Sequence, residues 1–155
     1  RVLFRSPWTL KGEPVMLSKP EFDWECRGFK VNEGPAVLMH GDKLFISYSA
    51  SATDENYCMG LLWIDRQADP LQPANWHKAP QPVFRTSYEN RQYGPGHNSF
   101  TQTPEGEDVL VYHARNYTEI EGDPLYDPNR HTRLKLVSWR EDGMPDFGIP
   151  PADTL

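Results

Sequence analysis

Short runs of apolar and β-branched residues, each bounded by glycine, proline or polar turn residues, set the pattern of this chain. Residues 36–39 are followed by a His40-Gly41-Asp42 turn and then by 43–49, a run without helical spacing. Two more runs, 57–64 and 82–84, follow. The pattern predicts four strands, with 65–80 as a proline-rich loop containing at most one helical turn around 71–76.

The same order of elements recurs farther along the chain. Gly34-Pro35 is echoed by Gly94-Pro95. The later strands have counterparts at residues 109–114, 134–139 and 144–147. A four-stranded repeat of about fifty to sixty residues is typical of a β-propeller blade, whose first strand lies innermost.

We therefore predict an all-β chain of two full four-stranded blades, at 31–85 and 91–149, plus part of a third. Residues 1–30 would be the tail of an earlier blade, in which 2–4 end one strand and 15–18 form a short outer one. Because propellers close with about four to eight blades, we expect an incomplete propeller, either a fragment or half of an assembly.

Composition excludes several classes of function. The 155 residues carry a net charge of −6 and no block of Lys or Arg, which argues against a nucleic-acid partner. No stretch approaches the roughly 20 apolar residues of a membrane span, and residues 1–5 show no signal-peptide core. Cys26 and Cys58 are too few for a disulfide scaffold, and two buried thiols are favoured over one bridge.

Glu33 is the sharpest candidate for chemistry, at the head of a predicted innermost strand in the segment VNEGP. Glycoside hydrolysis needs a carboxylic acid that protonates the leaving oxygen, and a Glu facing the propeller axis would meet that need. Spacing alone favours the alternative, a solvated Glu before a Gly-Pro turn.

His97 occupies the equivalent first-strand position one blade later. It could hold a metal ion or its water, or orient a carboxylate; the alternative is a hydrogen-bonded structural His. No second His or Cys lies at metal-ligand spacing, which argues against a zinc site.

Substrate contacts are expected from polar residues near the ends of the predicted strands. Arg130 or Arg133 could bridge a carboxylate and a sugar hydroxyl through its planar fork of donors; the alternative is a surface charge on a capped loop. Ser51, near a strand end, could touch a ligand, although serines that fill a tight strand interface are favoured. Trp8, Trp24 and Trp76 could stack on sugar rings or pack between blades. No G-x-S-x-G elbow or Cys-His pattern supports a nucleophilic hydrolase.

Four segments, in order, together resemble glycoside hydrolase family 43, and most of all its exo-acting α-L-arabinofuranosidases. They are residues 18–25 (SKPEFDWE), 31–35 (VNEGP), 93–99 (YGPGHNS) and 123–133 (DPLYDPNRHTR). The resemblance implies a five-bladed β-propeller with the active site at one end of its axis and an inverting mechanism.

The resemblance also implies roles for individual residues. Glu33 matches the family's general acid. His97 matches the axial His, which in relatives often binds a calcium or other central ion through water. Arg130 fits the family's Arg-x-Thr element, with Arg133 as its local rival. The family's Asp base and the Asp that tunes the acid have no counterpart in this chain, so we expect the chain to be inactive alone.

The expected substrate is arabinose-containing oligo- or polysaccharide, such as arabinan or arabinoxylan. Xylosidases and arabinanases share the scaffold, so the exact sugar, the linkage and exo or endo action stay open. The alternative is an inactive truncated propeller that binds carbohydrate or serves as an assembly module, as a homodimer or paired with an N-terminal half. The compartment is open, with secretion or the periplasm favoured over the cytoplasm.

Overall fold

The computed structural model describes residues 4–6, 8–10 and 12–153, and these contain strands, loops and three single-turn 3₁₀ helices but no α-helix. Strands β1 (Phe4–Ser6) and β2 (Thr9–Leu10) form a hairpin. The first blade consists of β3 (Asn32–His40), β4 (Lys43–Ala50), β5 (Cys58–Asp65) and β6 (His77–Lys78). The second blade consists of β7 (Tyr93–Gln102), β8 (Asp108–Arg115) and β9 (His131–Leu136). Strands β10 (Ser138–Trp139) and β11 (Pro145–Asp146) pair in a separate small sheet, and the 3₁₀ turns are Asp23–Glu25, Pro73–Asn75 and Pro124–Tyr126.

The first three strands of the first blade form around the apolar and β-branched runs that predict them, and they pair antiparallel in chain order. The sequence predicts the fourth strand at 82–84, but the fourth strand in the structure is β6, at His77–Lys78, which pairs with β5. Pro80 and Pro82 lack the amide hydrogens that a ladder needs. Residues 83 and 84 therefore make only an isolated bridge to Met59, through two backbone bonds of 2.8 Å.

The second blade differs from the prediction in its third strand. The single run predicted at 134–139 is broken at Val137, which is buried and donates its amide to the carbonyl of Asp108 at 2.8 Å. The strand before the break, β9, pairs with β8, and β10 after it pairs with β11. The expected fourth strand near 144–147 thus exists as β11, outside the three-stranded sheet.

The N-terminal stretch also departs from expectation. Residues 15–18 form no strand, and residues 2 and 3 of the predicted strand 2–4 lie outside the described residues. Cys26 and Cys58 form no bridge, as predicted, but only Cys58 is buried, whereas Cys26 is partly exposed. None of the helices in the described ranges has the length and apolar character required to cross a bilayer.

The two blades pack face to face over one core. On β4, Phe45, Ser47 and Ser49 point toward the second blade, as period-two alternation requires. Aromatic contacts bridge the blades: Phe84 packs edge-on against Tyr112 with ring centroids 4.9 Å apart. The buried apolar residues are Leu38, Phe45, Met59, Leu61, Ala79 and Phe84 from the first blade and its loops, and Leu110, Tyr112, Ala114, Val137 and Phe147 from the second.

The opposite face of β4 packs against the N-terminal segment around a buried charge, Glu25. Its carboxylate accepts hydrogen bonds of 2.8–3.0 Å from the side chains of Lys78, Tyr48 and Asn32 and from the amides of Glu21 and Phe22. Burial by itself raises the pKa of Glu25, but these donors outweigh it and hold the pKa below its usual 4.5.

Replacing Glu25 by Gln should lower the free energy of unfolding at pH 7 by about 3 kcal/mol, because Lys78 loses its buried counter-ion. The lowered pKa means that ionised Glu25 stabilises the wild type above about pH 4.5, and that this stability is lost as the pH falls through the lower folded-state pKa. Denaturant unfolding followed against pH should show this acid-dependent loss in the wild type and not in E25Q.

The control is Glu21→Gln, which removes the half-exposed carboxylate 3.6 Å from the same Lys78. It should change stability by less than about 1 kcal/mol. An E25Q variant as stable as the wild type across the pH range would contradict this account.

Candidate active site

Glu33 lies at the head of β3, where the strand departs from regular pairing. Glu33 pairs with Ser49, and the register then shifts before Ala36. Gly34 lies within this irregularity with a φ of 55°, and a Cβ there would lie 3.3 Å from the His97 ring. The irregularity leaves the Glu33 side chain 39% exposed beside the second blade.

His97 comes from the second blade and meets Glu33. Its φ of 45° is rare for a residue other than glycine, and such backbone strain concentrates at functional sites. The strained amide is held by a 2.7 Å hydrogen bond to the hydroxyl oxygen of Ser49. His97 Nδ1 lies 4.0 Å from Glu33 Oε1, and 57% of the His side chain is exposed. Glu33 and His97, the two candidates predicted on the first strands of neighbouring blades, therefore lie close together.

Tyr57 is the third member of the cluster, and sequence reasoning missed it. Its ring is fully buried between the blades, and its hydroxyl donates to Glu33 Oε1 at 2.6 Å. The same hydroxyl oxygen lies 3.4 Å from His97 Nδ1. Burial, and then the contact with Glu33, raise the pKa of Tyr57 far above its usual value, so the phenol keeps its proton. A tyrosine at a strand start carries no local signal for such a role.

His113 supports the cluster from the second blade. Its ring stacks on Tyr57 with centroids 5.6 Å apart and an interplanar angle of 7°. Burial, and after it the nearby Arg130 and Arg115 charges, lower the pKa of His113 to about 4, so the ring is neutral near pH 7. Neither ring nitrogen has a hydrogen-bond partner among the described residues.

Arg130, and not its rival Arg133, lies at this site. Arg130 lines an open cavity of about 400 Å³ together with His97, His113, Asp127 and Pro128. Its guanidinium donates a hydrogen bond to the carbonyl of Leu125 at 3.1 Å. Arg133 instead forms an ion pair with Asp153, away from this cavity.

The loop that carries Arg130 is anchored by Arg115, another residue that sequence reasoning missed. Arg115 is buried at the end of β8 and donates to the carbonyls of Thr53 and Pro124 and to the Asp127 carboxylate, 3.1 Å away. Burial tends to raise the pKa of Asp127, but the Asn129 amide, Tyr117 and Arg115 hold it below its usual range. The loop is thus tied both to its own blade and, through Thr53, to the first.

Ser51 cannot contact a substrate in this structure, contrary to the prediction. Its side chain is 1% exposed, and its hydroxyl donates to the carbonyl of Trp24 at 2.7 Å and accepts from the amide of Arg27 at 3.0 Å. A φ of 72° ends the alternation that Ser47 and Ser49 follow. Ser51 therefore links the N-terminal segment to the first blade through these two hydrogen bonds.

The tryptophans differ in their availability for sugar stacking. Trp24 is buried and donates its ring N–H to the carbonyl of Pro80, so it serves packing. Trp76 is half-buried and bonds to the carbonyl of Pro70. Trp8 is exposed.

The residues described here do not build a metal site by themselves. Among them, no group of three His, Cys, Asp or Glu side chains converges closely enough to hold an ion. His97 on its own is one ligand, whereas calcium takes six to eight oxygen ligands. The central ion near His97 stays a prediction.

Comparison with known proteins agrees with the geometry of the fold. A sequence model described as glycosyl hydrolases family 43 matches residues 3–145. The chain is 59% identical over 149 residues to an extracellular exo-alpha-(1->5)-L-arabinofuranosidase of Streptomyces avermitilis. It is 53% identical over 150 residues to alpha-L-arabinofuranosidase 43 of Humicola insolens. Each match covers 96% of this chain but only 31% of the relative.

Solved structures give the same result. An alpha-L-arabinofuranosidase from Lactobacillus brevis superposes with a TM-score of 0.95 at 56% identity, covering 98% of this chain and 47% of that one. A thermostable family-43 glycoside hydrolase superposes with a TM-score of 0.69 at 29% identity, covering 94% of this chain and 47% of that one. The predicted all-β propeller is confirmed, since the family's solved structures are five-bladed propellers and the two blades form part of one. The chain belongs to glycosyl hydrolases family 43.

Proposed function

We propose that this chain carries the general acid of an inverting α-L-arabinofuranosidase, and that the acid is Glu33. The substrate would be an arabinofuranosyl linkage in arabinan, arabinoxylan or their oligosaccharides. The observation that carries the proposal is the meeting of Glu33, Tyr57 and His97 at the junction of the blades. The names of the two curated relatives, both arabinofuranosidases, support the choice of sugar.

In this mechanism Glu33 gives its proton to the glycosidic oxygen as the bond to the anomeric carbon breaks. A water attacks from the opposite face of the sugar, activated by a carboxylate about 6.5–9.5 Å from the acid. Asp127, the aspartate in the cavity of Arg130, is a poor base because Arg115, Tyr117 and the Asn129 amide occupy its carboxylate. We assign the base to the portion of the propeller that this chain does not span.

Arg130 is the residue of this chain best suited to hold the sugar. Most of its donors have no partner within the described part of the chain, and its guanidinium lies beside His97 in an open cavity. A planar fork of donors fits two hydroxyl oxygens, or a hydroxyl and a carboxylate, at once. An ion at the propeller axis would be held near His97 through water, with its other ligands supplied by water or by the remaining blades.

The name of one relative bears on where this protein acts. The Streptomyces avermitilis relative is named extracellular. We propose that this protein is secreted too, where it would meet plant polysaccharide.

Replacing Glu33 by Gln should lower kcat on an arabino-oligosaccharide by about 10²- to 10⁴-fold, the contribution typical of a general acid. KM should change little, because the amide keeps the shape of the side chain. The measurement is sugar release by this chain joined to the upstream strands that the family's mechanism requires.

The matched control is Glu105→Gln, in the exposed turn between β7 and β8. The Glu105→Gln enzyme should hydrolyse the arabino-oligosaccharide with an unchanged kcat. Normal hydrolysis by the Glu33→Gln enzyme would show that the acid has been assigned to the wrong residue.

A second candidate function, an assembly module, is favoured by the exposed apolar faces of the two blades. Val37 and Met39, which alternate on β3 with buried Leu38, are each 58% exposed. Leu134 and Leu136 on β9 are also exposed. In a propeller such faces pack against neighbouring blades, so this chain would pair through them with a second copy or with a complementary half.

On this second proposal the 155-residue chain should sediment as a dimer at micromolar concentration, because pairing buries the apolar faces. Val37→Glu combined with Met39→Glu should shift it to a monomer. The control is Ile149→Glu, which alters an exposed apolar residue on neither strand and should leave the mass unchanged. A wild-type chain that stays monomeric throughout would rule out the homodimer.

A further inference from the structure

We propose that Tyr57 is a positioning residue that dictates which oxygen of Glu33 carries the transferable proton. The inference deepens the proposed function and rests on Glu33 being the general acid. Tyr57 donates to Oε1 at 2.6 Å, so Oε2 would hold the proton that goes to the leaving oxygen.

The position of the Tyr57 hydroxyl is set by packing rather than by Glu33. One side of the ring faces Gly96, where a Cβ would lie 2.5 Å from a ring carbon. The ring also stacks on His113 at 5.6 Å. The Tyr57 amide donates to the carbonyl of Asp54 at 3.2 Å. A ring held in this way presents its hydroxyl at one point, and the more exposed carboxylate adjusts to it.

The Tyr57 hydroxyl has one proton and can donate one hydrogen bond, and the distances indicate that this bond goes to Glu33. The distance to Glu33 Oε1 is 2.6 Å, whereas the distance to His97 Nδ1 is 3.4 Å. A tyrosine hydroxyl readily donates a hydrogen bond to a carboxylate, and a charge-assisted O–H···O⁻ bond is typically 2.5–2.7 Å long. Because the phenol stays protonated, it remains a donor in every step.

This arrangement suits an acid that is consumed and regenerated in each turnover. While Glu33 is protonated, Tyr57 donates its hydrogen bond to Oε1, and the transferable proton resides on Oε2. When that proton passes to the glycosidic oxygen, negative charge develops on the carboxylate. The hydrogen bond from Tyr57 strengthens as the charge grows, so it stabilises the transition state more than the ground state.

The kinetic test compares two leaving groups in Tyr57→Phe, again in the chain joined to its upstream strands. An arabino-oligosaccharide needs a proton on its leaving oxygen, whereas 4-nitrophenolate departs without one. Tyr57→Phe should lower kcat on the oligosaccharide by about 10- to 100-fold, the loss expected for a misplaced catalytic group. On the 4-nitrophenyl arabinofuranoside the loss should stay below about threefold.

Tyr48→Phe is the matched control, since Tyr48 is also buried and donates to a carboxylate, that of Glu25, at 2.9 Å. Any loss in that variant should be equal on both substrates. Equal losses on both substrates in Tyr57→Phe would overturn the inference and leave Glu33 as the acid. If Glu33→Gln also remained active, the proposed function itself would fail.

A spectroscopic test on the 155-residue chain needs no activity. Proton NMR should show the Tyr57 hydroxyl as a downfield, slowly exchanging resonance that is missing in Tyr57→Phe. It should move upfield in Glu33→Gln, where a neutral amide replaces the carboxylate. A resonance that Glu33→Gln leaves in place would mean that the hydroxyl does not bond to Glu33, and would overturn the inference.

Discussion

The close approach of two β-blades around the ring of Tyr57 is the constraint on which the rest of this structure depends. The approach is possible because the facing strands carry small residues there, Ser49 on β4 and Gly96 on β7. With those residues in place, the head of β3 meets the middle of β7, and Glu33 and His97 share one buried hydroxyl. Side chains of ordinary bulk at these positions would hold the sheets apart and separate the cluster.

Two ion pairs, each with one fully buried member, hold the segments around that contact in place. Glu25 and Lys78 lie behind the head of β3, and Asn32, next to Glu33, donates to the Glu25 carboxylate. Arg115 and Asp127 fix the loop that carries Arg130. A buried charge is costly unless every lone pair and proton is satisfied, and both pairs have several further partners. The charges therefore specify where the segments lie rather than adding much net stability.

Sequence patterns anticipated the parts of this molecule that local chemistry determines. Strands β4 and β8 formed where β-branched and aromatic runs predicted them, and the Gly-Pro repeat marked both first strands. The errors lie where tertiary contacts decide. His77–Lys78 forms the fourth strand by pairing with β5, and its lysine also reaches the buried Glu25 carboxylate. Ser51 left its predicted face because its backbone turns left-handed. Tyr57 was missed because its partners are 24 and 40 residues away in sequence.

The most direct test of the packing around Tyr57 is a nuclear Overhauser measurement on the chain in solution. The ring protons of Tyr57 should show cross-peaks both to the α-protons of Gly96 and to the ring protons of His113, since all three groups are in contact. Both sets of cross-peaks together would establish that the blades close on this ring. A folded chain in which Tyr57 shows cross-peaks only within its own blade would contradict the account.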